Sequence, residues 1–97
     1  MKKHNLKKAH FSTLCVHGSG GVDPLTGALG IPIYQSSTFA FENAKAGAEI
    51  FSGEKEGYVY TRIGNPTQEA FEREMAFLED GEAALAFGSG MAAISSI

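Results

Sequence analysis

Cysteine is nearly absent from the 97-residue sequence, which contains only Cys15. One thiol forms neither an internal disulfide framework nor a zinc cluster, so we expect a reducing, cytoplasmic location and a packed rather than reactive Cys15. Long apolar runs are also absent, and none approaches the ~20 residues of a membrane-spanning helix. The basic start MKKHNLKKAH lacks the apolar region that follows in a signal peptide. We therefore predict no membrane association.

Acidic residues are missing from the first ten positions, which divides the charge of the chain unevenly. Four lysines give this head a charge of about +4, whereas eleven acidic residues and four Lys or Arg give the remainder about −7. A basic arm is one way to contact nucleic acid. A solvated terminus is the better interpretation of residues 1–10, because no aromatic residue interleaves the lysines. We predict no nucleic-acid partner.

The chain is long enough for one small domain, but its last residues indicate part of a larger protein. Hydrophobic residues make up 43% of the sequence, which is enough for one small domain. The last residues, 95–97, come a few positions into an apparent helix, with no glycine, asparagine or proline to end it. We therefore expect the N-terminal part of a larger protein, cut inside an element.

Caps, turn residues and composition predict three elements before residue 63: a helix over 11–17 that Gly18 ends, a helix over 43–51 capped by Asn43, and an extended segment over 57–62. Glycine and proline make residues 18–30 a loop, with a turn at Asp23-Pro24. If residues 57–62 are extended, Tyr60 and Arg62 lie on one side of the chain, since side chains alternate along a strand.

The clearest predicted element is a helix over residues 65–81. Asn65 is its N-cap, Pro66 suits the first helical position, and Gln68 completes a capping box. Helix capping alone explains Asn65 and Pro66, and Gly81 ends the helix. Apolar residues recur at i, i+4 and i+7 and predict one buried stripe: Phe71, Met75 and Leu78.

A short apolar run, residues 83–87, predicts a buried strand, and Gly88-Ser89-Gly90 follows it before an apparent helix. Orphan amides and the helix dipole favour an anion at such a junction, and glycines let it approach the backbone. Gly88-x-Gly90-x-x-Ala93 also fits the dinucleotide-binding pattern G-x-G-x-x-A. A Walker-type loop is excluded, because Gly-Lys-Ser/Thr is absent. A tight turn without a ligand is the third interpretation.

Two segments of the sequence carry a specific resemblance. YTRIGNPTQEAFEREMAFLEDGEAALAFGSGMAAI resembles the signature region of the pyridoxal-phosphate enzymes of cysteine and methionine metabolism. Upstream, VHGSGGVDPLTGALGIPIYQSSTFAF resembles the N-terminal segment of the same family. The likeness covers about residues 11–97, and its pattern of Tyr-x-Arg-x-x-Asn-Pro-Thr with a later Ser-Gly-Met is highly specific. It implies an enzyme that uses pyridoxal 5′-phosphate and acts on a small amino-acid substrate.

The resemblance implies an α/β fold of the aminotransferase type, known as fold type I. Residues 1–62 would form an N-terminal arm of extended chain and short helices that contacts the partner subunit. Residues 63–97 would begin the pyridoxal-phosphate-binding domain. Members of this family are homo-oligomers, so we expect a tetramer built of dimers that share active sites.

The resemblance also assigns five residues to the cofactor phosphate. Ser89, Gly90 and Met91 match the Ser-Gly-Met turn that holds the phosphate through backbone amides. Tyr60 and Arg62 match the tyrosine and arginine that reach the same phosphate from the neighbouring subunit, and a guanidinium fork suits phosphate oxygens. The lysine that binds the cofactor is expected beyond residue 97. We therefore assign no catalytic residue, and no metal ligand, to this chain.

Residues 51–57, with the pattern Phe-x-Gly-Glu-x-x-Gly, resemble most the methionine γ-lyases of this family. That branch eliminates methanethiol from methionine and leaves 2-oxobutanoate and ammonia. O-acetylhomoserine sulfhydrylases are the second choice, and cystathionine γ-synthases and γ-lyases are further alternatives. Dinucleotide binding at residues 88–93 is the alternative from a different class.

Overall fold

The computed structural model describes residues 8–18 and 21–97. The helices of these ranges are α1 (Phe11–His17), α2 (Ala44–Phe51), α3 (Pro66–Leu78) and α4 (Gly90–Ser95). Paired β-structure in the described part of the chain is one isolated antiparallel bridge, between Thr38 and Tyr60. The helices within these ranges are too short or too polar to cross a membrane. The predictions for the basic head at residues 1–7, and for positions 19 and 20 of the loop, lie outside the described residues.

Contacts along the backbone divide the chain into two units. One unit is Ile33–Glu69, which contains α2 and the start of α3. The other is Met1–Pro32 together with Ala70–Ile97. The boundary predicted between residues 62 and 63 concerns contact with a partner subunit. It therefore stays a prediction.

The first helix begins and ends where the sequence predicts. Gly18 ends α1 with a φ of 34°, and its N–H donates to the Leu14 carbonyl at 2.6 Å. The positive φ favours glycine there, whereas the atoms that a Cβ would approach, at 1.8–2.0 Å, belong to the flexible end of the Glu74 side chain, which can move. The prediction of a packed Cys15 is wrong, because α1 buries none of its residues and Cys15 is exposed.

The predicted turn at Asp23-Pro24 is present and is held by the Asp23 carboxylate. Its Oδ2 accepts a hydrogen bond from the Thr26 hydroxyl at 2.5 Å and from the Thr26 N–H at 2.8 Å. These bonds favour the charged carboxylate and lower the pKa of Asp23, the hydroxyl contributing most. The Gly27 N–H donates to the Asp23 carbonyl at 2.8 Å and completes the turn.

The second helix also matches its predicted bounds. Asn43 is the N-cap of α2, and its Oδ1 accepts from the Ala46 N–H at 2.9 Å. Ala46 and Gly47 are the buried residues of this helix, and the Phe41 ring packs against Gly47. The ring of Phe51, at the end of α2, lies edge-on to Phe41 with 6.0 Å between centroids. This small aromatic contact holds the helix against the chain that precedes it.

The third helix starts as predicted but ends earlier, at Leu78. The chain reverses at Asp80, whose φ is 52°, and the Gly81 N–H donates back to the Ala76 carbonyl at 2.8 Å. The Asp80 N–H points to the Phe77 carbonyl at 3.4 Å, which completes a Schellman motif. Aspartate tolerates the left-handed conformation better than most residues. Asp80, and not Gly81 as predicted, is therefore the residue that ends α3.

The predicted apolar stripe of α3 is not buried in the described chain. Phe71 is 56% exposed, and Met75 and Leu78 are half-buried. The buried residue of this helix is Ala70, with 4% exposure. A helix stripe is buried only where another layer packs on it, and the described residues leave Phe71 uncovered.

Residues 83–87 form no strand, contrary to the prediction. Leu85 is 78% exposed, and Phe87 is exposed as well. The Ala86 N–H donates to Oε1 of Glu72 at 2.8 Å, so this amide bonds a side chain and not a neighbouring strand. A strand needs a paired neighbour, and the described part of Met1–Pro32 and Ala70–Ile97 contains none.

Gly18→Ala should destabilise the full-length protein, because the φ of 34° is unfavourable for alanine and the Glu74 carboxylate would have to move away from the added Cβ. We expect the free energy of unfolding to fall by about 1–3 kcal/mol, measured from the urea midpoint. Gly21→Ala is the matched control, since a Cβ at Gly21 meets no atom within 4 Å. Equal midpoints for the two variants would contradict a backbone conformation at Gly18 that requires glycine.

Candidate functional site

Tyr60 and Arg62, two of the predicted site residues, follow a short paired segment. Tyr60 forms the antiparallel bridge with Thr38, and the Phe39 N–H donates to the Val59 carbonyl at 3.2 Å. The chain is therefore paired at Tyr60, whereas residues 57–59 form no bridge in the described chain and Val59 lies at a bend, so the extended segment predicted over 57–62 is confirmed only at Tyr60.

Beyond Tyr60 the chain turns, so the predicted extended conformation is wrong at its end. The N–H groups of Ile63 and Gly64 both donate to the Tyr60 carbonyl, at 2.9 and 3.1 Å. Arg62 lies inside this turn, and strand spacing does not bring it beside Tyr60. Instead, the Arg62 guanidinium lies over the Tyr60 ring, with Cζ 5.1 Å from the ring centroid. The two side chains meet through a cation–π contact.

The hydrogen-bond donors of Tyr60 and Arg62 are open to a ligand. Arg62 is exposed, and no carboxylate of the described residues pairs with it. Neither its guanidinium nor the Tyr60 hydroxyl has a hydrogen-bond partner in the described ranges. An unpaired guanidinium with a planar set of donors suits a phosphate or a carboxylate. An open groove, lined by residues 34–37 and 60–62, adjoins these donors.

Asn65 has a wider role than the helix capping that the sequence predicts. Its Oδ1 caps α3 by accepting from the Thr67 N–H at 2.8 Å. Its amide group also donates to the Tyr34 carbonyl and to the Thr61 hydroxyl, each at 3.0 Å. The interpretation of Asn65 by capping alone is therefore wrong. The available signal was the choice of Asn, since Asp or Ser would cap equally well.

Ser89, Gly90 and Met91 form the start of α4. Ser89 is the N-cap in extended conformation, and its Oγ accepts from the Ala92 N–H at 3.1 Å. The Ala93 N–H donates to the Ser89 carbonyl at 3.1 Å. The amides of Gly90 and Met91 have no partner among the described residues. The junction thus presents two unpaired donors where the sequence predicts them.

The glycines of this junction are not required by the described structure. A Cβ at Gly88 or at Gly90 would meet no atom within 4 Å, and neither residue has a positive φ. A tight turn without a ligand therefore gives no reason for glycine at these positions, whereas close approach of an anion does. The dinucleotide pattern requires a strand before the turn, and residues 83–87 do not form one.

The five predicted site residues fall into two groups. Tyr60 and Arg62 belong to the unit Ile33–Glu69, and residues 89–91 belong to the other unit. The structure brings together the members of each group. Their joint action on one phosphate stays a prediction.

Comparison with known proteins gives a consistent result. A family model described as Cys/Met metabolism PLP-dependent enzyme matches residues 12–97. L-methionine gamma-lyase of Porphyromonas gingivalis is 48% identical over 96 residues, which cover 99% of this chain and 24% of the relative. Cystathionine beta-lyase of Coxiella burnetii is 43% identical over 97 residues, which cover 100% of this chain and 23% of the relative. The chain thus spans about a quarter of the length of the curated relatives that it matches.

A solved structure is similar as well. O-acetylhomoserine (thiol)-lyase of Campylobacter jejuni matches with a TM-score of 0.76 and 33% identity, covering 87% of this chain and 20% of the solved chain. That structure contains N′-pyridoxyl-lysine-5′-monophosphate. This solved structure is therefore similar to the chain in sequence as well as in fold.

Gly90→Ala should separate folding from ligand binding. The added methyl group meets no atom of the described residues within 4 Å, so we expect the melting temperature of the apoprotein to stay unchanged. Affinity for pyridoxal phosphate should fall by about tenfold, a loss of ~1.4 kcal/mol, because the methyl group hinders approach to the backbone amide. Titration of the full-length apoprotein with the cofactor measures this, and Gly30→Ala, also in open space, is the control. Equal affinities in both variants would contradict a ligand at Gly90.

Proposed function

The chain belongs to the Cys/Met metabolism PLP-dependent enzymes, and on that premise we propose that its residues 60–62 and 89–91 hold the cofactor phosphate of a carbon–sulfur lyase. Membership of this family confirms the predicted cofactor, pyridoxal 5′-phosphate, and the fold type I class of the prediction. The particular reaction, the substrate and the assembly of the whole protein are parts of the proposal.

One observation carries the proposed phosphate site. Arg62 is an exposed cation without a carboxylate partner among the described residues, and it is stacked on Tyr60 at 5.1 Å. Two groups with hydrogen-bond donors unpaired in the described chain, the Arg62 guanidinium and the Tyr60 hydroxyl, therefore belong to side chains in contact, which is the arrangement expected of an anion site and not of an arginine that is merely solvated. A guanidinium and a phenol together supply the donors that a phosphate accepts.

Pyridoxal phosphate, when bound, supplies an electron sink for negative charge that develops beside the substrate nitrogen. The residues of this chain bind and orient it. The Arg62 guanidinium and the Tyr60 hydroxyl would donate to phosphate oxygens. The amides of Gly90 and Met91 would donate to others, and the Ser89 hydroxyl can donate its proton while its oxygen caps α4. Holding the phosphate in this way would restrain the position of the cofactor.

The reaction that we assign to the full-length protein is elimination of methanethiol from methionine, which leaves 2-oxobutanoate and ammonia. Residues 51–57 support this choice by their resemblance, and the methionine γ-lyase is the more identical of the two relatives compared above. Part of this stretch serves packing, since a Cβ at Gly57 would lie 2.6 Å from the Ile50 side chain. The remaining positions, from Ser52 to Glu56, are exposed.

A sulfhydrylase acting on O-acetylhomoserine is the second candidate. The similar solved structure bears that activity in its name, with a TM-score of 0.76. A cystathionine lyase is the next alternative, supported by the relative from Coxiella burnetii. All three candidates use the same cofactor, so the proposed phosphate site is common to them.

We also propose an assembly in which the sites are shared. Residues 1–62 would lie on the partner subunit as an arm, and Tyr60 and Arg62 would reach the phosphate bound there. The whole protein would be a homotetramer built of two such dimers. We place it in the cytoplasm, where a reducing environment keeps the exposed Cys15 a free thiol.

The full-length protein should convert methionine into methanethiol and 2-oxobutanoate without an added acceptor. Absorbance of the bound cofactor shows that the preparation is loaded, and release of 2-oxobutanoate measures the reaction. If methionine is not consumed but O-acetylhomoserine and sulfide give homocysteine, the protein is a sulfhydrylase and not a methionine γ-lyase. A colourless protein that binds a nicotinamide dinucleotide would refute the whole assignment.

Arg62→Ala should weaken cofactor binding and leave the fold intact, because the side chain is exposed. A charge-assisted contact contributes about 1.5–3 kcal/mol, so affinity of the apoprotein should fall by roughly one to two powers of ten. Arg62→Lys should recover only part, since an ammonium cannot form the bidentate fork. Arg73→Ala, which removes another exposed arginine, is the control. An affinity unchanged from wild type in Arg62→Ala would remove the main support for the site.

The Arg62→Ala variant also tests whether sites are shared. Its subunits are mixed with subunits inactivated at the cofactor-binding lysine expected beyond residue 97. In a shared assembly, some sites combine an intact arm from one subunit with an intact lysine from the other, and activity returns. Absence of recovery, with subunit exchange confirmed, would mean that Arg62 serves its own chain.

A further inference from the structure

The side chain of Asn65 is a buried polar group with more bonds than a helix cap requires. It is 5% exposed. Its Oδ1 satisfies the Thr67 N–H at the start of α3, and both Nδ2 bonds go elsewhere, to the Tyr34 carbonyl and the Thr61 hydroxyl. Capping uses only the oxygen, so the amide hydrogens are available for a second role.

Thr61 is the residue between Tyr60 and Arg62, and it is held at three points. Its N–H donates to the Ser37 carbonyl at 2.9 Å. Its hydroxyl donates to the Ser36 carbonyl and accepts from the Asn65 amide. Backbone and side chain of Thr61 are therefore both attached to residues outside the turn.

The backbone at Thr61 sets the directions in which its two neighbours project. Arg62 makes no hydrogen bond or ion pair with the described residues, and its cation–π contact with Tyr60 joins two side chains of the same turn. That contact does not anchor the pair to the rest of the unit. The hydrogen bonds of Thr61, including the one from Asn65, anchor Tyr60 and Arg62 to the rest of the unit.

We propose that Asn65 is a positioning residue, which acts through Thr61 to hold Tyr60 and Arg62 in the orientation that grips a phosphate group. The inference rests on the proposed function of Tyr60 and Arg62. The chain supplies a comparison in Asn43, which also caps its helix through Oδ1, there accepting from the Ala46 N–H; its side chain is exposed and donates to no described residue. Asn65 differs from this ordinary cap in its burial and in the two bonds of its amide group.

Asn65→Asp separates the two roles, because aspartate keeps the capping oxygen and loses the donors to Tyr34 and Thr61. We expect the affinity of the full-length apoprotein for pyridoxal phosphate to fall by about tenfold. Affinity for pyridoxal, which lacks the phosphate, should not change. The matched control Asn43→Asp should alter neither affinity. A general loss of structure would instead lower the affinities for pyridoxal phosphate and for pyridoxal together.

Thr61 provides a second test that does not place a carboxylate in a buried position. Thr61→Val removes the hydroxyl at constant shape and should lower affinity for pyridoxal phosphate as Asn65→Asp does. Thr61→Ser restores the hydroxyl and should recover most of the wild-type affinity. If Asn65→Asp does not fold, these two variants test the attachment of Thr61, to which the Ser36 carbonyl and the Asn65 amide both contribute, and equal affinities of the two would overturn the inference.

Combination with Arg62→Ala distinguishes failure of the inference from failure of the proposed function. In the Arg62→Ala background, Asn65→Asp should cause a smaller further loss than in the wild type, since one of the two groups that it positions is gone. If Arg62→Ala weakens pyridoxal phosphate binding but Asn65→Asp and Thr61→Val do not, Asn65 is no positioning residue and the phosphate site still stands. If Arg62→Ala has no effect on the preference for the phosphorylated ligand, the proposed function fails with the inference.

Discussion

The hydrogen bonds of the buried Asn65 side chain are the constraint on which the turn at residues 60–62 depends. One amide joins the start of α3 to the Tyr34 carbonyl and the Thr61 hydroxyl. Leaving such a buried amide without partners would cost about 1–3 kcal/mol, so the three segments are held in one arrangement. No described carboxylate neutralises Arg62, and its one side-chain contact within the described residues is with Tyr60 of the same turn, so the position of the pair depends on that arrangement.

Features that depend on neighbours within a few residues were predictable from the sequence. Asn43 caps α2 through an amide three positions away, and Gly18 ends α1 by bonding a carbonyl four positions back. The turn at Asp23 and the cap at Ser89 have the same local character. The donors at the start of α4 follow from such a cap, because the first amides of a helix have no partner within it. The family, and with it the cofactor, came from motif resemblance and was confirmed by comparison.

Features that depend on distant partners were not predictable. The Tyr34 carbonyl lies 31 positions before Asn65, and no sequence pattern connects the two. The strand predicted over 83–87 requires a paired neighbour, and the predicted burial of Phe71 requires a layer that covers it. Hydrophobic periodicity indicates neither. Asp80 and Gly81 can both adopt the positive φ that ends a helix, and in the structure Asp80 adopts it, although glycine is the more common residue at such an end. The meeting of Arg62 with Tyr60 was expected from strand spacing and arises instead from a turn.

The central claim is that the turn held by Asn65 presents Arg62 and Tyr60 to the phosphate of pyridoxal phosphate. A crystal structure of the full-length protein with the cofactor bound measures this most directly. The account predicts a guanidinium nitrogen of Arg62 at about 2.7–2.9 Å from a phosphate oxygen, with the Tyr60 hydroxyl on the same group. A phosphate held without either residue, or Arg62 paired with a carboxylate of the protein instead, would contradict it.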